Sequence, residues 1–177
     1  MRTVWLWLAV ACLAAAGGSW WYYVTRPAYR WQRGQEALRD EDWFGVEAIA
    51  RELEASGEAD GARLLRGEAL YRQRRYAGAA AELNQVRDEG DLRLRAALLQ
   101  GRCFLRLNLL RQAHLVFSFV VDQQPDNADA HRGLAALYYD LGDLNRAVSH
   151  LKQVARLVPD VMAAQLRHLD SFERSGT

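Results

Sequence analysis

The side chains of this chain that could carry metal, acid–base or thiol chemistry are few. They are four histidines and two cysteines: His114, His131, His150, His168, Cys12 and Cys103. None of the histidines has a second residue of metal-ligand type four positions away, and two cysteines alone form no zinc site. We interpret each histidine as a surface or groove residue, and Cys103 as a packing residue beside Phe104.

The motifs of the common enzyme classes are missing from the sequence. It contains no nucleophile elbow, Walker loop, HExxH helix or CxxC pair. Carboxylates are numerous, but no pair is set apart by the apolar neighbours that a catalytic acid requires. The sequence therefore predicts a protein that is not an enzyme, with no catalytic residues, bound metal, cofactor or small-molecule substrate.

Composition and charge set the broad class of the protein. Of its 177 residues, 50% are hydrophobic and 25% are charged, which is typical of a globular domain and argues against disorder. The 23 lysines and arginines and 22 acidic residues leave a net charge of +1, so no overall field attracts nucleic acid. The charge is uneven, since residues 34–60 are acidic and residues 61–111 are basic. These blocks either pair with each other inside the fold or leave a basic stripe for a partner.

The first 26 residues form an apolar segment. No charged residue stands between Thr3 and Thr25, and a helix over 4–24 would span about 31 Å at a rise of about 1.5 Å per residue. Aromatic side chains, which suit the headgroup boundary, lie near both ends: Trp5, Trp7, Trp20, Trp21, Tyr22 and Tyr23. Residues 1–26 are therefore predicted to be a single-pass transmembrane anchor.

A cleaved signal peptide is the alternative for this segment. Arg2 would be its basic region, and the alanines of 14–16 would be its cleavage site, which would make the chain a secreted soluble protein. The positive charges on the two sides of the segment nearly cancel. A very short N-terminal tail usually leaves the bulk of a chain translocated, so the soluble part is predicted to be extracytoplasmic, in the periplasm.

The rest of the chain repeats with a period of 34 residues. Three sets of positions recur at this interval: Gly67, Gly101 and Ala135; Ala79, Ala113 and Ala147; and Pro125 and Pro159. An earlier copy, around Gly34 and Trp43, begins one residue short of this register. A period of this length indicates a solenoid. Small residues are expected where the two helices of a unit cross closely, because larger side chains would force the helices apart.

Each copy has the apolar spacing of two amphipathic helices joined by a short bend. Its order of small, aromatic, alanine and proline positions resembles the tetratricopeptide repeat (TPR) family. The third copy carries this pattern as Gly101, Phe104, Leu110, Ala113, Phe117, Val120 and Pro125. The resemblance implies an all-α fold, a TPR α-solenoid of about four helix-turn-helix units over 27–59, 60–93, 94–127 and 128–161. Residues 162–177, with an apolar face, are predicted to be a C-terminal capping helix.

The resemblance also implies which residues face a peptide, since the first helix of each TPR unit lines a concave groove. The arginines and tyrosines among them are the expected peptide-binding residues: Tyr71, Arg72, Arg95, Arg102, Arg106, Arg132 and Tyr139. Further implied groove positions are Trp31, Gln35, Arg39, Leu64, Glu68, Leu98 and Ala136. The Lys and Asn pattern that holds a terminal carboxylate in some members is missing. Arginines and tyrosines suit an acidic peptide, or the arginines simply balance nearby acids.

The predicted function is that of a membrane-anchored scaffold or adaptor for protein–protein interaction, such as an assembly factor or a chaperone-like holder. The layout is similar to that of TPR proteins in the bacterial cell envelope. A structural module that associates with itself and leaves its groove empty is the alternative. Nucleic acid is not an expected partner, because several arginines of the basic block lie on the groove side of the units.

Overall fold

The computed structural model describes residues 27–159, in which the chain forms eight α-helices. They are α1 (Pro27–Arg39), α2 (Trp43–Ala55), α3 (Ala59–Arg72), α4 (Tyr76–Leu83), α5 (Asp91–Arg106), α6 (Leu110–Gln123), α7 (Ala128–Asp140) and α8 (Leu144–Leu157). The predicted membrane segment and the predicted capping helix lie outside the described residues. None of the helices within the described range is long and apolar enough to cross a membrane.

The helices form four hairpins, of which the second and third begin one and three residues before the predicted unit starts at 60 and 94. The first helices of successive hairpins, α1, α3, α5 and α7, also contact one another in that order. Among the described residues, the second helices make no comparable contact with each other. The first helices therefore form a close inner layer and the second helices spread over the outside, which is the arrangement that curves an α-solenoid.

Each hairpin turns through three residues, and the middle one has a left-handed backbone. These residues are Glu41, Arg74, Asn108 and Gly142, with φ of 56°, 60°, 57° and 76°. Three of them are 34 residues apart, so this conformation follows the sequence period. Only Gly142 adopts it without steric cost, since a Cβ in this region crowds the backbone.

This turn geometry predicts opposite effects at equivalent positions. Gly142→Ala is expected to lower the free energy of unfolding by about 1 kcal/mol, because the left-handed backbone strains any Cβ even where no atom lies nearby. Arg74→Gly is expected to raise it by up to about 1 kcal/mol by releasing such strain. Urea unfolding followed by circular dichroism measures both variants. If both substitutions change the free energy of unfolding in the same direction, the left-handed backbone does not determine their effects.

Small residues lie where the two helices of a hairpin cross. A Cβ added to Gly67 of α3 would lie 2.6 Å from the side chain of Leu83 on α4. A Cβ added to Gly101 of α5 would lie 2.7 Å from the ring of Phe117 on α6. Four alanines at the corresponding predicted positions are buried: Ala79, Ala113, Ala135 and Ala147. Both prolines of the pattern, Pro125 and Pro159, follow the last residue of a second helix, α6 and α8 respectively.

Charges from the acidic and basic blocks pair within the stack. Arg66 of α3 contacts Glu47 and Glu54 of α2, and its hydrogen bonds lower the pKa of both carboxyl groups. Arg30 of α1 pairs with Glu58 at 3.0 Å. Arg66 of the basic block thus neutralises charge of the acidic block, which favours the first of the two interpretations of the charged blocks.

Candidate functional site

Two adjoining cavities of about 350 and 360 Å³ lie on the inner layer of helices, across α3, α5 and α7. Both are lined by Tyr71, Arg102 and Asp129, so they form one continuous depression. We call it the arginine groove. It brings together six of the seven predicted peptide-binding residues: Tyr71, Arg72, Arg95, Arg102, Arg106 and Arg132.

The arginines share the groove because of their spacing on the helices. Arg95, Arg102 and Arg106 follow at intervals of seven and four residues, which places them on one face of α5. Ala96 and Cys103 of the same helix are buried on the other side. The apolar face of α5 fixes the helix in the core and turns its arginines into the groove.

Three of the groove arginines have carboxylate partners. Arg72 pairs with Glu68 at 3.4 Å and also donates a hydrogen bond to the backbone carbonyl of Leu38. Arg102 and Arg132 share a single carboxylate, that of Asp129, at 3.2 and 2.7 Å. One negative charge therefore stands between two guanidinium groups.

The two other groove arginines contact aromatic rings. The guanidinium of Arg106 hydrogen-bonds to the phenol of Tyr71, which raises the pKa of Arg106 above its usual value. The guanidinium of Arg95 lies 5.0 Å from the ring centre of Trp31 in a cation–π contact. Neither contact neutralises the positive charge.

Tyr139, the seventh predicted residue, is placed differently. Its side chain is 68% exposed, and it lines neither cavity of the groove. The neighbouring residue of α7, Tyr138, is buried instead and stacks on His150. Of the further implied positions, Leu64, Glu68, Leu98 and Ala136 do line the groove.

A larger cavity, of about 610 Å³, was not singled out by the sequence. Trp31, Leu53, Ala59 and Leu92 give it apolar walls, and Arg95 links it to the arginine groove by lining both. We call it the tryptophan pocket. Two of its residues, Trp31 and Arg95, were implied groove positions in the sequence, and its other walls come from the end of α2, the start of α3, the loop before α5 and the first turn of α5.

The interpretation of the histidines as surface or groove residues is wrong for His131. Its ring is buried, and its Nε2 lies 2.8 Å from the carbonyl oxygen of Pro125. Its Nδ1 lies 3.0 Å from Nδ1 of His150. His114 reaches the same region, with Nε2 3.1 Å from the hydroxyl of Tyr138. The packing of α6, α7 and α8 gathers these rings from distant sequence positions, whereas His168 lies outside the described residues.

Groups suited to metal or thiol chemistry are not assembled in the described range. No cluster of three or more histidine, cysteine or acidic side chains that could hold a metal ion occurs among residues 27–159. Cys103 is fully buried, and this burial raises the pKa of its thiol to about 11. The thiol therefore stays protonated at neutral pH and packs against its neighbours.

The geometry defines a class of protein, a helical-repeat solenoid with a charged groove on its inner layer. Two family models, both described as tetratricopeptide repeat, match the chain. One matches residues 104–168 and the other residues 45–93 and 64–110, which together span more than half of the sequence. The chain belongs to the tetratricopeptide repeat family, which typically provides interaction scaffolds for proteins without catalysis. No curated protein matches the chain.

Proposed function

We propose that this protein is a membrane-anchored adaptor whose arginine groove binds an acidic segment of a partner protein. The observation that supports it most is the charge of the groove. Five arginines line it against three carboxylates, those of Glu68, Asp129 and Asp140. The excess of two positive charges lies in a depression, where a peptide carboxylate is partly shielded from water.

The partner is proposed to place one carboxylate between Arg102 and Arg132. These two guanidinium groups already share Asp129, and each presents several donors in a planar fork. A second carboxylate in this position can accept hydrogen bonds from both. Tyr71 adds a rigid aromatic surface beside them, as is common in binding sites.

The membrane part of the proposal rests on the N-terminal segment. Residues 1–26 have the length and aromatic ends of a membrane span, and the groove follows on the same chain. Anchoring would confine the adaptor to the membrane surface and raise its effective concentration near membrane partners. The periplasmic side is the proposed location of the groove.

Crosslinking in cells followed by a pull-down of the full chain tests this function. Changing Arg102, Arg106 and Arg132 to Glu is expected to abolish capture of the partner, because the groove becomes acidic. A matched control changes three exposed arginines outside the groove, Arg75, Arg111 and Arg156, to Glu. This control alters the total charge equally and is expected to retain the partner. Circular dichroism confirms that both variants fold.

The two variants separate specific binding from general charge effects. Loss of the partner from both would indicate attraction by net charge alone. Equal capture by all three proteins would contradict the groove as the binding site. The identity of a captured partner also fixes the compartment, since a periplasmic partner requires a translocated groove.

A further inference from the structure

The tryptophan pocket continues the arginine groove but differs from it in chemistry. The groove carries five arginines against three carboxylates, whereas the pocket has three arginines, three carboxylates and the indole of Trp31 in its walls. Its volume of about 610 Å³ lies in the range of about 300–1,000 Å³ that is typical of ligand sites. Arg95 belongs to both cavities, so a chain that lies in the groove reaches the pocket without a gap.

Most charges around the pocket are already paired. Glu58 pairs with Arg30 at 3.0 Å, and Asp60 pairs with Arg63 at 2.7 Å. Burial would raise the pKa of Asp60, but the hydrogen bonds that it accepts outweigh this effect and the pKa lies below its usual value. Glu58 and Asp60 are thus each neutralised by an arginine.

Two arginines at the pocket lack a carboxylate partner within the described range. Arg87 is exposed, and Arg95 contacts only the ring of Trp31. The carboxylate of Asp88 accepts a hydrogen bond from the backbone of Gly90. The pocket therefore combines apolar walls with the guanidinium groups of Arg87 and Arg95 and the carboxylate of Asp88, an excess of one positive charge, and it complements a large apolar side chain that is flanked by acids.

We propose that the tryptophan pocket binds one aromatic side chain of the same acidic partner segment that occupies the arginine groove. The aromatic ring packs between Trp31 and Leu92, and carboxylates on either side of it pair with Arg87 and Arg95. The pocket thus selects acidic segments that carry an aromatic residue over segments that are merely acidic. This inference rests on the proposed function, since the groove supplies the neighbouring contacts.

Two synthetic peptides test the selection. The probes are a fluorescein-labelled polyglutamate peptide with one central tryptophan and the same peptide with alanine in its place. Binding to the full chain in mild detergent is measured by fluorescence anisotropy. The tryptophan peptide is expected to bind about 10- to 100-fold more tightly, as is usual for a side chain that fills an apolar pocket.

A matched pair of variants locates the effect in the pocket. Gly61 forms part of the pocket wall, and a Cβ there meets no atom within 4 Å, so Gly61→Leu is expected to occupy part of the pocket. This variant is expected to lose the preference for tryptophan and to keep its affinity for the alanine peptide. Gly78→Leu makes the same substitution on α4, outside the pocket, and is expected to keep the preference.

Each other outcome overturns the proposal in a distinguishable way. If the wild type binds both peptides equally, the groove function stands and the pocket proposal fails. If it binds neither peptide, both fail. If the preference for the tryptophan peptide appears only after Trp20 and Trp21 are changed to Ser, the pocket is assigned to the chain's own N-terminal segment. If free N-acetyltryptophanamide binds as tightly as the tryptophan peptide, the pocket is assigned to a small molecule.

Discussion

Phe117→Ala is expected to lower the free energy of unfolding by about 3–5 kcal/mol, the usual cost of removing a fully buried phenylalanine. The side chain of Phe117 is completely buried in the core shared by the third and fourth hairpins. Its ring lies against Gly101 on α5 and against Gly133 on α7. Since solenoid units are stabilised mainly by their neighbours, this loss also weakens the attachment of the last hairpin.

A nearby phenylalanine provides the control. Phe119 lies on the same helix but is 39% exposed. Phe119→Ala is expected to lower the free energy of unfolding by less than about 1 kcal/mol, because only part of the Phe119 ring contacts the protein. Urea unfolding of both variants, followed by circular dichroism, measures the difference. Equal losses would show that Phe117 does not hold the two hairpins together.

Gly133 tests the same packing, because the effect of Gly133→Ala on the free energy of unfolding is expected to change sign when the Phe117 ring is removed. A Cβ on Gly133 would overlap the ring of Phe117, so Gly133→Ala is expected to destabilise the protein by about 1–3 kcal/mol. In the Phe117→Ala background the overlap is absent. There the same substitution is expected to stabilise the protein by up to about 1 kcal/mol through helix propensity. If Gly133→Ala lowers the free energy of unfolding equally in both backgrounds, direct contact between position 133 and the Phe117 ring is contradicted.

The 34-residue period predicted the hairpins and part of their packing. Gly67 lies seven residues before the turn residue Arg74, and its contact Leu83 lies nine residues after it. Gly101 and Phe117 have the same offsets from Asn108, so one hairpin predicts the contacts of the next. Gly133 escapes this rule because it contacts Phe117 from the following unit. Contacts between units depend on the angle of stacking, which the period does not contain.

The groove was predictable to a similar extent. Helical spacing on α5 placed Arg95, Arg102 and Arg106 on one face, and they do line one groove. Tyr139 was misplaced because the groove face of α7 runs through Arg132 and Ala136 to Asp140, which leaves Tyr139 exposed beside it. The tryptophan pocket was missed because loop residues such as Arg87 form its wall, and their positions follow from the packing of three hairpins.

The histidine pair escaped prediction for a related reason, although a signal was present. His131 lies eleven residues before the turn residue Gly142, and His150 lies eight residues after it. Residues at comparable distances from a hairpin turn face each other across the two helices. Without the knowledge that both rings point inward, the sequence could not distinguish this arrangement from two separate surface histidines.

The histidine pair is expected to make the stability of the last hairpin depend on pH. The carbonyl of Pro125 can only accept, so Nε2 of His131 carries a proton and its Nδ1 accepts from Nδ1–H of His150. Nε2 of His150 remains as the site where a further proton can bind.

The surroundings of His150 disfavour the binding of a further proton to its ring. Burial lowers the pKa of His150 below its usual 6.5, and the neighbouring His131 and His114 lower it further. The unfolded chain thus binds more protons than the folded chain at acidic pH, and folding stability must fall as the pH decreases.

The sign and window of the effect follow from these protonation states. The contribution of His150 is fully present above about pH 6.5, its usual pKa in the unfolded chain. It is lost as the pH falls below this value, by at most about 1.4 kcal/mol per pH unit for the one proton that the folded chain binds more weakly. Partial exposure of His150 keeps its own contribution below that limit.

Removal of His150 tests the pair directly. His150→Ala removes the side chain whose pKa is lowered in the folded chain, so the decline in stability between pH 7.5 and 5 is expected to become shallower than in the wild type. His114→Gln leaves the bond between His131 and His150 in place and is expected to keep most of the decline. Urea midpoints across this pH range measure the slopes. Identical slopes in the wild type and His150→Ala would show that carboxylates elsewhere cause the decline and that the pair does not sense pH.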